Sequence, residues 1–264
     1  MPSGSQHSRK AQELSRKAQE LLRKAEKPPR KAQRPTGERR FAVSESPQTI
    51  PLAHLPLSLT NVEPPPKCLF VCGSLPQEMP PAVAIVGSRR ASALGRRQAH
   101  KLGRELAEHG LAVVSGLARG IDSCALEGCL QGEGFAGAIL GNGLPEIYPE
   151  QNTALAQRIL SSGGFVASEF PEGAPPKKEH FPQRNRLISG LCLAVVVVEA
   201  TVRSGSLITA RWALQQGKDV LAFPGPTEGP QYEGCHQLLK EGAALVTGVG
   251  DVLNVLADLP RGGT

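Results

Sequence analysis

Four short stretches of the chain combine glycine, hydroxyl and arginine side chains in a way suited to holding an anion. They are Gly87-Ser88-Arg89-Arg90, the run Ser115-Gly116-Leu117-Ala118-Arg119-Gly120-Ile121-Asp122, Gly141-Asn142-Gly143, and Arg203-Ser204-Gly205-Ser206, the last leading on to Thr209. Glycine lets a backbone amide approach a phosphate, serine adds a hydroxyl donor, and arginine presents a charge-assisted pair of N–H groups. A fifth cluster, Phe181-Pro182-Gln183-Arg184-Asn185-Arg186, sets two arginines around an asparagine. It reads two ways: one arginine faces the anion site, or both pair with carboxylates such as Asp122 or Glu199 and fix the loop, since buried arginine is normally paired. Asp122 is expected to orient an arginine and not to act as a base. One small-residue turn means little, because strand-to-helix connections use glycine in any case. Four in series favour a phosphate-binding face. Neither G-x-G-x-x-G after the first strand nor G-x-x-x-x-G-K-[ST] occurs, so neither NAD nor ATP is the expected ligand, and no cofactor or metal is expected.

These stretches need a scaffold, and the intervening sequence supplies one. Apolar runs at Val83–Val86, Leu111–Val114, Phe135–Leu140, Phe165–Ala167, Leu193–Val198, Val220–Phe223 and Ala244–Val246 read as strands. Helical spacing falls between them at Ala93–His109, Ile121–Leu130, Thr153–Leu160, Ser206–Gln216, Cys235–Glu241 and Val249–Leu256, and Gly110 stops the first of these. A further short strand is expected at Lys67–Val71. Strands buried on both faces and alternating with helices predict an α/β fold with a parallel, doubly wound sheet. In such sheets ligands collect beyond the carboxyl ends of the strands, where all four turns fall. Trp212 lies within an expected helix and reads as core. Tyr148, beside Pro149, reads as a turn residue ahead of a base-stacking one, and His180 as a loop residue.

Composition narrows the class. The chain is 40% hydrophobic and 20% charged, enough for a packed core. No apolar run reaches the ~18 residues of a membrane span, and no apolar segment follows the basic N-terminus, so no membrane partner is expected. Cys68, Cys72, Cys124, Cys129, Cys192 and Cys235 form no C-x-x-C pair, which favours reduced thiols and a cytoplasmic location. Residues 1–40 hold 12 Lys/Arg against 4 Glu, leaving 18 Lys/Arg against 20 Asp/Glu from the chain totals of 30 and 24. Beyond residue 40 a nucleic-acid partner must therefore be met by a local patch. Arg-Lys-Ala recurs every seven residues from Ser8, but the apolar seam of Leu14, Leu21 and Leu22 is thin and Pro28-Pro29 ends any helix. Residues 1–40 are read as a basic low-complexity heptad tail without fixed structure, 41–66 as a Pro-rich linker wrapped on the domain, and 67–258 as the Rossmann-like domain.

The motifs resemble, in order and spacing, those of the DNA-processing protein A (DprA/Smf) family. They are AIVGSRRAS at 84–92, VVSGLARGID at 113–122, GNGLPEIYPEQN at 141–152, FPQRNRLISGL at 181–191, VVEATVRSGSLITA at 197–210, AFPGP at 222–226 and HQLLKEGAALV at 236–246. The resemblance implies an extended Rossmann-like, doubly wound and mostly parallel sheet in a protein that binds and protects single-stranded DNA, helps load the RecA recombinase onto it during natural transformation, and forms a homodimer. It implies no catalysis. By resemblance the Gly87, Ser88 and Arg89 loop, the Ser115–Gly120 loop, Arg184–Arg186 and Ser204–Ser206 line the DNA pocket. The chain departs from the family pattern in places. No winged-helix domain is expected after Leu256, the heptad tail stands where a helical domain often precedes, Leu126 stands where a histidine often follows Gly-Ile-Asp, and His236 where an asparagine is common.

Two rivals use the same fold. A nucleotide-processing enzyme of the phosphoribohydrolase type resembles a P-G-G-x-G-T pattern with a downstream glutamate. Here the loop reads Arg203-Ser204-Gly205-Ser206-Leu207-Ile208-Thr209, with no glutamate through Gln216. A nucleotide sensor would differ from a DNA binder in holding a mononucleotide tightly, whereas DNA binding needs several phosphates and weakens with salt.

Overall fold

Alanine- and valine-rich runs too short for helices and apolar at every position become the centre of a sheet covered on both sides. The computed structural model describes residues 47–258. The heptad tail at 1–40, the first part of the linker at 41–46 and residues 259–264 lie outside the described residues. Among the described residues the strands are β1 (Gln48–Pro51), β2 (Cys68–Gly73), β3 (Ala82–Val86), β4 (Ala112–Ser115), β5 (Ala136–Leu140), β6 (Phe165–Ser168), β7 (Ala194–Val197), β8 (Asp219–Ala222) and β9 (Ala244–Leu245). The helices are α1 (Leu57–Thr60), α2 (Ala93–Glu108), α3 (Ile121–Gln131), α4 (Thr153–Ser161), α5 (His180–Leu191), α6 (Ser206–Gln215), α7 (Glu233–Lys240) and α8 (Val249–Ala257).

The sheet runs β1-β2-β6-β5-β4-β3-β7-β8-β9. It is parallel except where β2 pairs antiparallel with β1 and with β6. From β3 the chain winds outward through β4, β5 and β6, then crosses back to lay β7 on the other side of β3. The strand order thus reverses between β3 and β7, and the loops leaving their carboxyl ends diverge there.

The pleat divides the core in two. Val83, Ile85, Val113 and Val196 face the layer of α2, α3, α4 and α8, including Leu102, Leu106, Leu126 and Ile159. Ala82, Ala84, Val86, Val114, Val195 and Val197 face the opposite layer, with Leu59, Leu187, Ile188, Leu207 and Leu238. Burial pushes the Cys129, Cys192 and Cys235 thiols up to about 12, so they stay protonated in this core. No helix among the described residues is long and apolar enough to cross a membrane.

Two features differ from the sequence expectation. Residues 47–60 form a strand and a short helix, with β1 extending the sheet edge beyond β2 and Leu59 fully buried. Residues 180–186, expected as loop, open α5, which runs on to Leu191. Pro182 falls in its first turn, where a missing N–H is harmless. Everything from Arg184 to Leu191 is buried, polar residues included. A helix buried all round has no polar face, and its polar residues disguise it as loop.

Candidate nucleic-acid interface

The Gly87–Arg90 turn leaves β3 and is held by a residue just past β7. The Glu199 carbonyl oxygen accepts the Ser88 N–H at 2.7 Å. Its fully buried carboxylate accepts the Ser92 N–H at 3.1 and 3.0 Å and the Ser92 hydroxyl at 2.5 Å. Ser92 in turn caps α2, its Oγ accepting the Gly95 N–H at 3.0 Å. One residue thus pins both ends of the turn across the switch point. The Ser88 hydroxyl accepts the Arg90 N–H at 3.1 Å, which leaves the Arg89 and Arg90 side chains exposed.

The second turn, after β4, is built into the first. Ser115 Oγ donates to the Ile85 carbonyl at 2.6 Å, and the Ile121 N–H donates to the Ser88 carbonyl at 3.2 Å. Leu117, fully buried, adopts a left-handed φ of 54°, and its carbonyl accepts Asn152 Nδ2 at 2.7 Å. A bulky residue in that region costs on the order of 1–3 kcal/mol and persists only where its surroundings enforce it. The surroundings here, burial and the Asn152 bond, set the path of the backbone that leads to Arg119.

The two arginines of α5 go to opposite ends. Arg186, 1% exposed, makes a bidentate pair with Glu169 at 2.8 and 2.6 Å, and also donates to the Pro64 and Gln183 carbonyls at 2.8 and 2.9 Å. Arg184 donates to the Ile139 and Gly116 carbonyls and to Asn185 Oδ1. Its Nη2 makes no hydrogen bond with the described residues. Burial lowers its pKa to about 10, the Asp122 charge opposes that shift, and the Arg89 charge adds to it. At neutral pH it remains a cation. Asp122 accepts the Gly116 N–H at 3.1 Å; burial raises its pKa, and the Arg184 charge and hydrogen bonds only partly counter this. A side chain at Gly116 would meet Arg184 Nη2 at 2.7 Å and Asp122 Oδ2 at 2.8 Å, so glycine is what admits both groups.

Arg89, Gly116, Ala118, Arg119, Tyr148, Pro149, Phe181 and Arg184 line one concavity. Within it the Arg89 guanidinium stands 4.8 Å from the centre of the Phe181 ring, and the Arg184 guanidinium 6.0 Å from the same centre. Tyr148 approaches Phe181 at 5.9 Å with its ring tilted 45°. Cation–π contact holds each guanidinium to the ring. The cations still repel one another around it, and an anion placed between them would relieve that repulsion.

The sequence-derived residues therefore separate. Arg89, Gly116, Arg119 and Arg184 meet at the concavity, Gly87, Ser88, Gly120 and Asp122 build its frame, and Arg90 is exposed beside it. For Ser115, Arg186 and Thr209 the expectation of direct contact is corrected: each is at most 1% exposed, and Ser115 and Arg186 spend their polar groups inside the protein. Arg186 pairs with Glu169, which was not among the expected carboxylates. Asn185, also buried, donates to the Gly205 carbonyl at 3.2 Å. It ties α5 to the fourth turn, where the Ser204 and Ser206 hydroxyls hydrogen-bond to each other at 2.7 Å and do not line the concavity. The third turn seats the aromatic wall, since Gly141 lies against Phe181 and its carbonyl is 3.1 Å from His180 Nδ1. Phe181 was not expected as a pocket wall. Tyr148, for which its place after the third turn left base stacking open behind a turn role, is 45% exposed and lines the concavity. Among the described residues no three His, Cys, Asp or Glu side chains converge as metal ligands would.

The model of the family described as DNA recombination-mediator protein A matches residues 49–257. Protein Smf of Escherichia coli K12 is 48% identical over 191 residues, 72% of this chain and 51% of that protein. The DNA processing protein DprA of Streptococcus pneumoniae is 44% identical over 198 residues, 75% of this chain and 70% of that protein. Its solved structure superposes with a TM-score of 0.75 at 40% identity, over 81% of this chain and 75% of that one. A structure of DNA processing protein A from Helicobacter pylori, described for its single-stranded DNA binding mode, gives a TM-score of 0.71 at 31% identity, over 79% of this chain and 95% of that one. The chain spans about half the length of several curated relatives it matches.

Proposed function

The chain belongs to the DNA recombination-mediator protein A family, and on that premise we propose that it binds single-stranded DNA in the concavity walled by Arg89, Arg119, Phe181 and Arg184. The observation that supports this most is the pair of guanidinium groups sharing the Phe181 ring, a local excess of positive charge in a chain whose charge beyond residue 40 is slightly negative. Arg89, Arg119 and the free Nη2 of Arg184 take phosphate oxygens, and Phe181 and Tyr148 offer faces to bases. Stacked duplex bases do not present such faces, whereas single strands do.

The reading is of a binder and not an enzyme. The two carboxylates nearest the turns are engaged as scaffold, Glu199 by Ser92 and Asp122 by Gly116. Protection of incoming DNA, loading of RecA, and a homodimeric state in the cytoplasm follow from the family resemblance and form part of the proposal.

The test is equilibrium binding of labelled oligonucleotides of graded length, single- and double-stranded, at two salt concentrations. Affinity should grow with length, favour single strands and fall with salt. Tight binding of a mononucleotide with no gain on lengthening would overturn the reading in favour of a nucleotide sensor.

A further inference from the structure

The first turn of α5 has concavities on both sides. Phe181 walls the cationic pocket, and the next residue, Pro182, walls a separate groove of about 290 Å³ between α5 and α6. That groove is lined by Pro182, Gln183, Ile208, Arg211, Trp212 and Gln215. Ile208, Trp212 and Gln215 follow the i, i+4, i+7 spacing that puts them on one face of α6. The indole is tied to α5, because its Nε1 donates to the Pro182 carbonyl at 3.2 Å. Trp212, half-buried, makes apolar walls with Pro182 and Ile208. Gln183 and Gln215 set amide groups at the margin, and Arg211 is exposed with no carboxylate partner among the described residues.

We propose that this groove is a second base-binding subsite, in which a base of the same single strand stacks on Trp212 while Arg211 meets its phosphate. The inference rests on the single-stranded DNA reading above and extends the strand's path across the first turn of α5. Phe181 and Pro182 are consecutive residues of the first turn of α5, so one helix turn is a wall of both concavities, and a strand seated by its phosphates beside Phe181 must pass round that turn to reach the groove. A nucleotide matches the groove's chemistry: flat apolar faces for the walls, polar edges for the glutamines and an anion for Arg211. An apolar side chain of a protein partner would leave Arg211 and both amides unused, and no acidic residue lines the groove to attract a basic partner.

Trp212 is the only tryptophan in the chain, so its emission reports on this groove alone. The test titrates the full chain with labelled oligothymidylates of about 4 to about 16 nucleotides, following anisotropy and tryptophan emission together. The shortest strands should bind without changing emission, and quenching should appear only on lengthening. Trp212→Leu should weaken the longer strands roughly tenfold while leaving the shortest unchanged, and Trp212→Phe, which keeps an aromatic face, should restore most of the loss. Arg211→Ala should lower the salt dependence for long strands only. Normal anisotropy binding with unchanged emission at every length would overturn the subsite and leave the Phe181 pocket standing. Absence of anisotropy binding at any length would overturn both. Emission that changes with protein concentration in the absence of DNA would place a second copy of the chain in the groove and overturn the subsite. Should Trp212→Leu fail to fold, the quenching profile of the unaltered chain decides.

Discussion

Gly120 passes so close to Ser88 that a methyl group on it would stand 2.3 Å from the Ser88 carbonyl oxygen. The contact is reciprocated one residue on, where a methyl on Gly87 would meet Ile121 Cγ1 at 2.6 Å. The turn after β3 and the turn after β4 are thus interlocked by their backbones, and Arg89 and Arg119 sit on one rigid unit. Gly120 also holds a left-handed φ of 84°. Gly120→Ala should therefore strain its own backbone and push the turns apart, at a cost on the order of 1–3 kcal/mol or more, with loss of single-strand affinity. Thermal melting and anisotropy check this together; a variant with unchanged melting and unchanged affinity would mean the turns are not coupled.

The strands and most helices were legible in the sequence because their signal is local. A run such as Ala84-Ile85-Val86 is apolar throughout, and Gly110 ends its helix whatever surrounds it. The choice between Arg184 and Arg186 was not legible. The two stand two positions apart on one helix, which turns their side chains to opposite sides. One reaches the ends of β4 and β5; the other reaches Glu169 and the Pro64 carbonyl, far off in sequence. Nothing in the hexapeptide identifies those partners. Phe181 escaped notice for the same reason, since its role depends on two arginines brought to it from separate elements.

Glu199 offers a second prediction. Its carboxylate is the acceptor for the Ser92 N–H and hydroxyl, and Ser92 in turn caps α2. Glu199→Ala should leave that donor without a partner, costing about 1–3 kcal/mol, which for a domain of this size lowers the melting temperature by a few degrees. Affinity should fall as the Arg89 turn loosens. Glu199→Gln, which retains one acceptor oxygen, should recover part of both losses. If Glu199→Ala lost affinity while keeping its melting temperature and the α2 cap, a direct role at the ligand would replace the scaffolding one.

Asp122 sets a pH dependence. Burial raises its carboxyl above the ordinary value of 3.8, despite the nearby Arg184 charge. The folded chain therefore holds that proton more tightly than the unfolded chain, and the stability this gives is present at acid pH. It is lost as pH rises from the unfolded value through the raised folded value. Asp122→Asn does not titrate, so the unaltered chain should lose stability relative to it across that window and run parallel above it. Denaturant melts at a series of pH values measure the difference between the two; a difference of the opposite slope would show that the Arg184 charge outweighs burial.

Arg89 and Arg186 make the last contrast, because the structure spends one inside the protein and leaves the other at the pocket. Arg186→Ala removes the bidentate partner of Glu169, whose side chain is 15% exposed, and breaking so buried a pair should cost about 3–5 kcal/mol. Arg89→Ala removes an exposed cation and a ring contact and should change stability by no more than about 0.5 kcal/mol. Binding should show the reverse order among folded molecules. Arg89→Ala should weaken single-strand affinity sharply and reduce the slope of log affinity against log salt by about one unit. Arg186→Ala, measured at a temperature where it remains folded, should keep the slope of the unaltered chain. A lowered slope for Arg186→Ala, or an unchanged one for Arg89→Ala, would assign the phosphate contact to the other side of α5.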